Sequence, residues 1–188
     1  GLRLARELGM AARLAQYATG SATYQATLGL RQGVPELVVT SSLAGFALNL
    51  PAPFAKTAEA ALPVRLETSA VRGLLPGAAP QDQLQLDVGR LASIAYVRDL
   101  SVDDARVLRG SIGVGLAADE VAPMPAQGVV ANISLDAVDV DAWSQVLGKV
   151  SGAESSAVGT AAQPGQAYMP TSLAVRAREL TVGGRKIN

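Results

Sequence analysis

The chain has 188 residues, with 16 Lys plus Arg against 16 Asp plus Glu, so it carries no net field to draw in a nucleic-acid backbone or an anionic membrane surface. It contains no Cys and no His, which removes disulfides, thiolate chemistry, imidazole general bases and the usual zinc ligand sets. Hydrophobic residues make up 49% and charged ones 17%, with a mean hydropathy of +0.25, so apolar surface has to be hidden or shared.

The first segment, Leu2 to Tyr17, repeats Leu4, Leu8, Ala11, Leu14 and Ala15 at helical spacing and predicts an amphipathic helix, a lead-in over 1–19. The period then becomes two. Ala22, Tyr24, Ala26, Leu28 and Leu30 alternate with polar residues and Gly29, Gln32-Gly33-Val34-Pro35 supplies a turn, and a second strand runs from Glu36 to about Ser42. Phe46, Leu48 and Leu50 continue the alternation to Pro51 and Pro53, which predicts a third strand of one meander. Val64, Leu66 and Thr68, then Leu84, Leu86 and Val88, follow the same grammar. Further strands are predicted at Ala92 to Arg98, Val107 to Leu116, Val129 to Leu135 and Leu173 to Val182.

One helix interrupts them, over 141–150: Asp141 is the predicted cap, and Ala142, Trp143, Val146, Leu147 and Val150 form its stripe. The Ser-, Gly- and Ala-rich 151–167 reads as a flexible loop, and 168–188 as the start of a further strand set. The expected fold is mainly β: a curved antiparallel sheet, a meander of one-sided strands over 20–150, with one or two short helices packed on it. The longest apolar stretches, such as Leu43 to Leu50, are broken well short of the roughly 20 residues of a membrane-spanning helix. Starting at Gly1 and stopping at Asn188, the chain reads as a piece of a longer protein.

Candidate chemistry is sparse. Gly113-Val114-Gly115-Leu116-Ala117-Ala118 fits a loose dinucleotide-loop pattern, but no amphipathic helix follows, so these glycines read as a strand end or bulge. Asp136, Asp139 and Asp141 lack the spacing of a calcium loop and read as a strand end, a turn and a cap. Asp99, Asp103 and Asp104 read as a polar turn. No Ser has a Lys three positions later, and Asn132-Ile133-Ser134 is a glycosylation triplet in form only, inside a predicted strand. No catalytic residue, cofactor or metal is expected. The apolar candidates are Leu28, Val39, Phe46, Leu48, Val64, Leu66, Leu86, Ile133 and Val175, which line either a closed core or an open trough for a lipid chain; the pattern leaves both open.

Several stretches, in order and spacing, resemble the YhdP family of bacterial envelope proteins, which is related to the AsmA-like proteins. They are Gly20-Ser21-Ala22-Thr23-Tyr24-Gln25-Ala26-Thr27-Leu28, Leu37-Val38-Val39-Thr40-Ser41-Ser42-Leu43-Ala44-Gly45, Leu50-Pro51-Ala52-Pro53-Phe54-Ala55-Lys56 and Leu62-Pro63-Val64-Arg65-Leu66-Glu67. Leu135 to Trp143 and Leu173 to Asn188 extend the likeness. The resemblance implies a long protein anchored in the inner membrane and crossing the periplasm, with an apolar β groove that takes part in moving phospholipid to the outer membrane. The implied partners are phospholipid acyl chains and the remainder of the same polypeptide; no catalytic residue comes with the family. The alternative is a structural or scaffold β module of the envelope that docks a partner protein along its edges.

Overall fold

The computed structural model describes residues 16–31, 33–71, 77–101, 105–117, 120, 122–151 and 168–187, with side chains left aside at 147–151 and 187. The helix expected over Leu2 to Tyr17 and the loop of 151–167 lie almost wholly outside them. The described strands are β1 (Ala18–Gly20), β2 (Tyr24–Arg31), β3 (Val34–Ser41), β4 (Phe46–Leu48), β5 (Val64–Ala70), β6 (Gln81–Val88), β7 (Ala92–Asp99), β8 (Arg106–Val114), β9 (Gly128–Asp139), β10 (Ser172–Val182) and β11 (Arg185–Ile187), with one helix, α1 (Val140–Ser151). The protein is mainly β, and its large sheet is mixed and not closed.

Nine strands form that sheet in the order β11-β10-β9-β8-β7-β6-β5-β3-β2. From β2 to β8 every neighbouring pair is antiparallel. Gln32-Gly33 alone joins β2 to β3, since Arg31 already pairs with Val34 and Gly33 takes φ +80. The turn is thus tighter than the sequence suggests, and Pro35 lies inside β3. It is tolerated because β5 begins pairing only at Leu37, so the missing N–H interrupts no ladder on that side.

Two sequence expectations need correction. Phe46 to Leu50 is not the third strand of the meander: β4 pairs with β1 in a separate two-stranded sheet, and β5 takes the place beside β3. The chain turns away at Leu43 (φ 47) and Gly45 (φ 87), and the Lys56 ammonium, only 9% exposed, then pins the loop by donating to the carbonyls of Leu43, Phe46 and Thr57. Nor is the sheet antiparallel throughout, because β8–β9 and β9–β10 are parallel pairs. Parallel neighbours need long crossovers. Here 115–127 supplies one and α1 with the segment after it supplies the other.

The helix begins where its sequence stripe predicts, but its cap is different. Asp139, the last residue of β9, accepts the Ala142 N–H at 2.9 Å, while Asp141 sits in the first turn and accepts Gly184 N–H from the β10–β11 turn at 3.1 Å. Asp139→Ala should therefore cost about 1 kcal/mol in urea unfolding, whereas Asp139→Asn, which keeps an acceptor, should retain most of that stability. Equal losses for the two variants would remove the capping role.

Candidate functional site

Directly paired residues in neighbouring strands project from the same sheet face, so the register alone assigns the faces. One row across the sheet reads Leu28, Leu37, Thr68, Leu84, Tyr96, Gly110, Val129. The next reads Ala26, Val39, Leu66, Leu86, Ile94, Ile112, Ala131, Leu173. A third reads Tyr24, Ser41, Val64, Val88, Ala92, Val114, Ile133, Val175. Between the rows, on the other face, the partners are Gln25, Thr40, Arg65, Asp87 and Ser93, and Thr27, Val38, Glu67, Gln85 and Ala95. One face is mostly apolar from β2 to the first half of β10, with Ser41 and Thr68 among its residues; the other is largely polar.

Seven of the sequence candidates, Leu28, Val39, Val64, Leu66, Leu86, Ile133 and Val175, share the apolar face. Phe46 and Leu48 do not, since they belong to the small β1–β4 sheet. Along the face, burial is uneven. At the β2 edge Tyr24 and Leu28 are each 72% exposed, and on β10 Leu173 and Val175 remain 58% and 54% exposed. In the middle Tyr96, Val129 and Ala131 are buried. Apolar side chains thus stay open at both margins of a face whose centre is covered.

The cover over the centre includes the stretch that leads into β10. Tyr168 packs edge-on against Tyr96 with ring centroids 5.1 Å apart, and its carbonyl accepts the Tyr96 hydroxyl at 2.9 Å. Thr171 pins the same stretch to Val129 through backbone and hydroxyl bonds. Gly110 is required beneath: a Cβ there would overlap the Tyr96 ring. Next to this corner the face carries an ion pair. Asp82 and Arg98 are register partners one row beyond Leu84 and Tyr96, and Arg98 donates through Nε at 2.9 Å and through Nη2 to the two carboxylate oxygens, with side chains 5% and 16% exposed. The bond to Asp82 raises the Arg98 pKa against the opposing effect of burial, and the Tyr168 phenol beside the guanidinium raises it further.

Elsewhere the acids serve local structure. Gln85 donates to Asp87 and Ser93, and Ser93 to Asp87, on the polar face. Asp99 accepts Ser101 N–H, and bonds from Ser101 hold its carboxyl below the ordinary value; Asp103 and Asp104 lie outside the described residues. Asp136, Asp139 and Asp141 do not converge: Asp136 faces Arg178 at 3.5 Å in solvent, and the other two are the cap and the Gly184 acceptor. Gly113 lies within β8, whose last residue is Val114, and Gly115 (φ 64) follows it, after which the 115–127 crossover lies over the polar face, where Ser111 Oγ donates to Ala122 O at 3.0 Å. Asn132 lies inside β9 with a buried, unpaired Nδ2. Among the described residues no cluster suited to a metal ion occurs, and no helix is long and apolar enough to cross a membrane.

The described residues thus form an open mixed sheet with a largely apolar face and one short helix. A family model described as YhdP protein matches residues 4–188, and the chain belongs to the YhdP family. No curated protein and no solved structure matches it.

Burial, and then the neighbouring Tyr168, raise the Tyr96 hydroxyl above its ordinary 10.0. The folded state holds that proton more tightly than the unfolded chain, so the stabilisation is complete below about pH 10 and falls as pH rises toward the folded value. Tyr96→Phe, which also loses the bond to Tyr168, should cost about 1 kcal/mol at neutral pH. In urea titrations that cost should shrink in alkali; a constant difference between the two proteins would mean that the hydroxyl is not held protonated by its site.

Proposed function

We propose that this chain is a non-catalytic segment of a periplasm-spanning, inner-membrane-anchored protein, and that its apolar face shelters phospholipid acyl chains on their way to the outer membrane. The observation that carries this reading is the continuity of the apolar rows across β2, β3, β5, β6, β7, β8, β9 and β10, with Tyr24, Leu28, Leu173 and Val175 left exposed at the margins. A closed core would bury such residues. Each acyl methylene withdrawn from water is worth about 0.8 kcal/mol, so a continuous face of Leu, Ile and Val holds hydrocarbon without specific contacts. Zero formal charge and the absence of His and Cys accord with passage of a ligand and not its conversion.

The chain purified from cells, extracted with organic solvent and analysed by mass spectrometry should yield phospholipid. Leu66→Lys, on a half-buried central position, should leave the β-type circular dichroism in place and lower the lipid yield several-fold. A lipid-free protein, or a Leu66→Lys variant that unfolds with its lipid yield per folded molecule unchanged, would count against the trough.

A scaffold reading is favoured by one observation: β2 is exposed along its whole length and is the edge strand of the sheet among the described residues. A partner strand added there would dock through backbone bonds. Placing Pro at Ala26, whose N–H points away from β3 to the open edge, should abolish such docking and leave lipid yield intact, which separates the two readings.

A further inference from the structure

We propose that Arg98 is the head-group contact of this face: the guanidinium binds the phosphate of an amphiphile whose tails lie along the apolar rows, and Tyr168 gives way to admit it. The inference rests on the acyl-shelter reading above and adds the polar end of the ligand.

Three observations support it. Asp82 and Arg98 stand on the apolar face, at positions whose neighbours along the strands, Leu84 and Tyr96, are apolar. A buried ion pair there gives little or no stability over two well-packed apolar residues, so stability does not account for it. Second, the pair is built as an oriented donor. Asp82 holds Nε and Nη2 along one side of the fork and leaves Nη1 directed elsewhere. With that side of the fork occupied, Nη1 is left to give a phosphate oxygen one charge-assisted hydrogen bond, and the neighbouring carboxylate acts as the positioning group. Third, Tyr168, which packs on Tyr96, the neighbour of Arg98 along β7, lies beside the guanidinium and belongs to the stretch leading into β10 and to no strand. A charged phosphate oxygen is a stronger partner for the guanidinium than a neutral phenol. The geometry therefore supplies an apolar floor and a polar anchor one row apart, which is the division of a lipid molecule itself.

The test measures binding of short-chain phosphatidylglycerol, phosphatidylethanolamine, diacylglycerol with the same chains, and inorganic phosphate to the purified chain by calorimetry. Both phospholipids should bind about tenfold more tightly than diacylglycerol, the size expected for one charge-assisted hydrogen bond, and inorganic phosphate should not bind measurably. The paired replacement Asp82→Asn with Arg98→Gln should erase the tenfold difference and keep diacylglycerol binding. Tyr168→Phe, which removes the competing hydroxyl, should tighten phospholipid binding about threefold and leave diacylglycerol unchanged. Equal binding of phospholipid and diacylglycerol by the natural chain would overturn the head-group site and leave the acyl shelter standing; no binding of any of the three lipids would overturn both. Tight binding of inorganic phosphate alone would reassign the site to a free anion. If the paired variant does not fold, an unchanged phospholipid affinity in Tyr168→Phe overturns the proposal.

Discussion

Everything in this protein follows from keeping the apolar positions of successive strands in phase. A strand's side chains alternate with period two, so a slip of one residue in any strand would turn its whole apolar set to the opposite face. The pairings prevent this: Val39 meets Leu66, Leu66 meets Leu86, Leu86 meets Ile94 and Ile94 meets Ile112 without a break. Tight turns help to fix the phase. Gly33 takes a left-handed conformation between β2 and β3, and Gly89 does the same after β6, where a Cβ would crowd the Leu62 side chain.

The same phasing explains why so hydrophobic a sequence buries so few side chains. Among the described residues only Tyr96, Val97, Val129, Ala131 and Val146 are buried apolar groups. A single sheet layer can cover its own apolar face only where another element crosses it, and here that occurs at the centre, under Tyr168 and Thr171. The margins remain open because β2 and most of β10 carry no such cover. Half-buried rows of this kind draw cohesion from backbone ladders and cross-strand contacts, and they leave a remainder of hydrophobic free energy for a guest to claim.

Much of this was legible in the sequence, and the reason is physical. Alternation in Tyr24 to Arg31, Val64 to Ala70 and Gln81 to Val88 is a local property of the chain, and it states both the strand and its wet and dry faces. What it does not state is which strand lies beside which. Phe46 and Leu48 alternate as well as any other residues, yet Leu43 and Gly45 turn them into a separate sheet, a departure decided by the Lys56 contacts some ten residues on. The cap at Asp139 was hidden because β9 runs on past Leu135, so three acids compete for one role and only the length of the strand chooses among them. The polar corner does have a signal in the alternation: Asp82 has the parity of Leu84 and Leu86, and Arg98 that of Ile94 and Tyr96, so two opposite charges occupy apolar positions on adjoining strands.

The change from antiparallel to parallel pairing is what gives the face its polar corner. Had β8, β9 and β10 continued the meander, each connection would have been a short turn at the sheet's end, and nothing would lie across the strands. Parallel pairing forces the chain to travel the length of the sheet between strands. The first such passage crosses the polar face over Ser111 and Gly113; the second delivers Tyr168 onto the apolar face. That second passage buries Tyr96 and sets a phenol against Arg98, so the most enclosed part of the apolar face is also the part with a charged pair at its border. A cover made from a crossover, held by one hydroxyl bond to Tyr96, one ring edge and the Thr171 contacts, is a less extensive attachment than a strand ladder. It is therefore the element of the centre that can yield to a ligand without breaking the sheet beneath it.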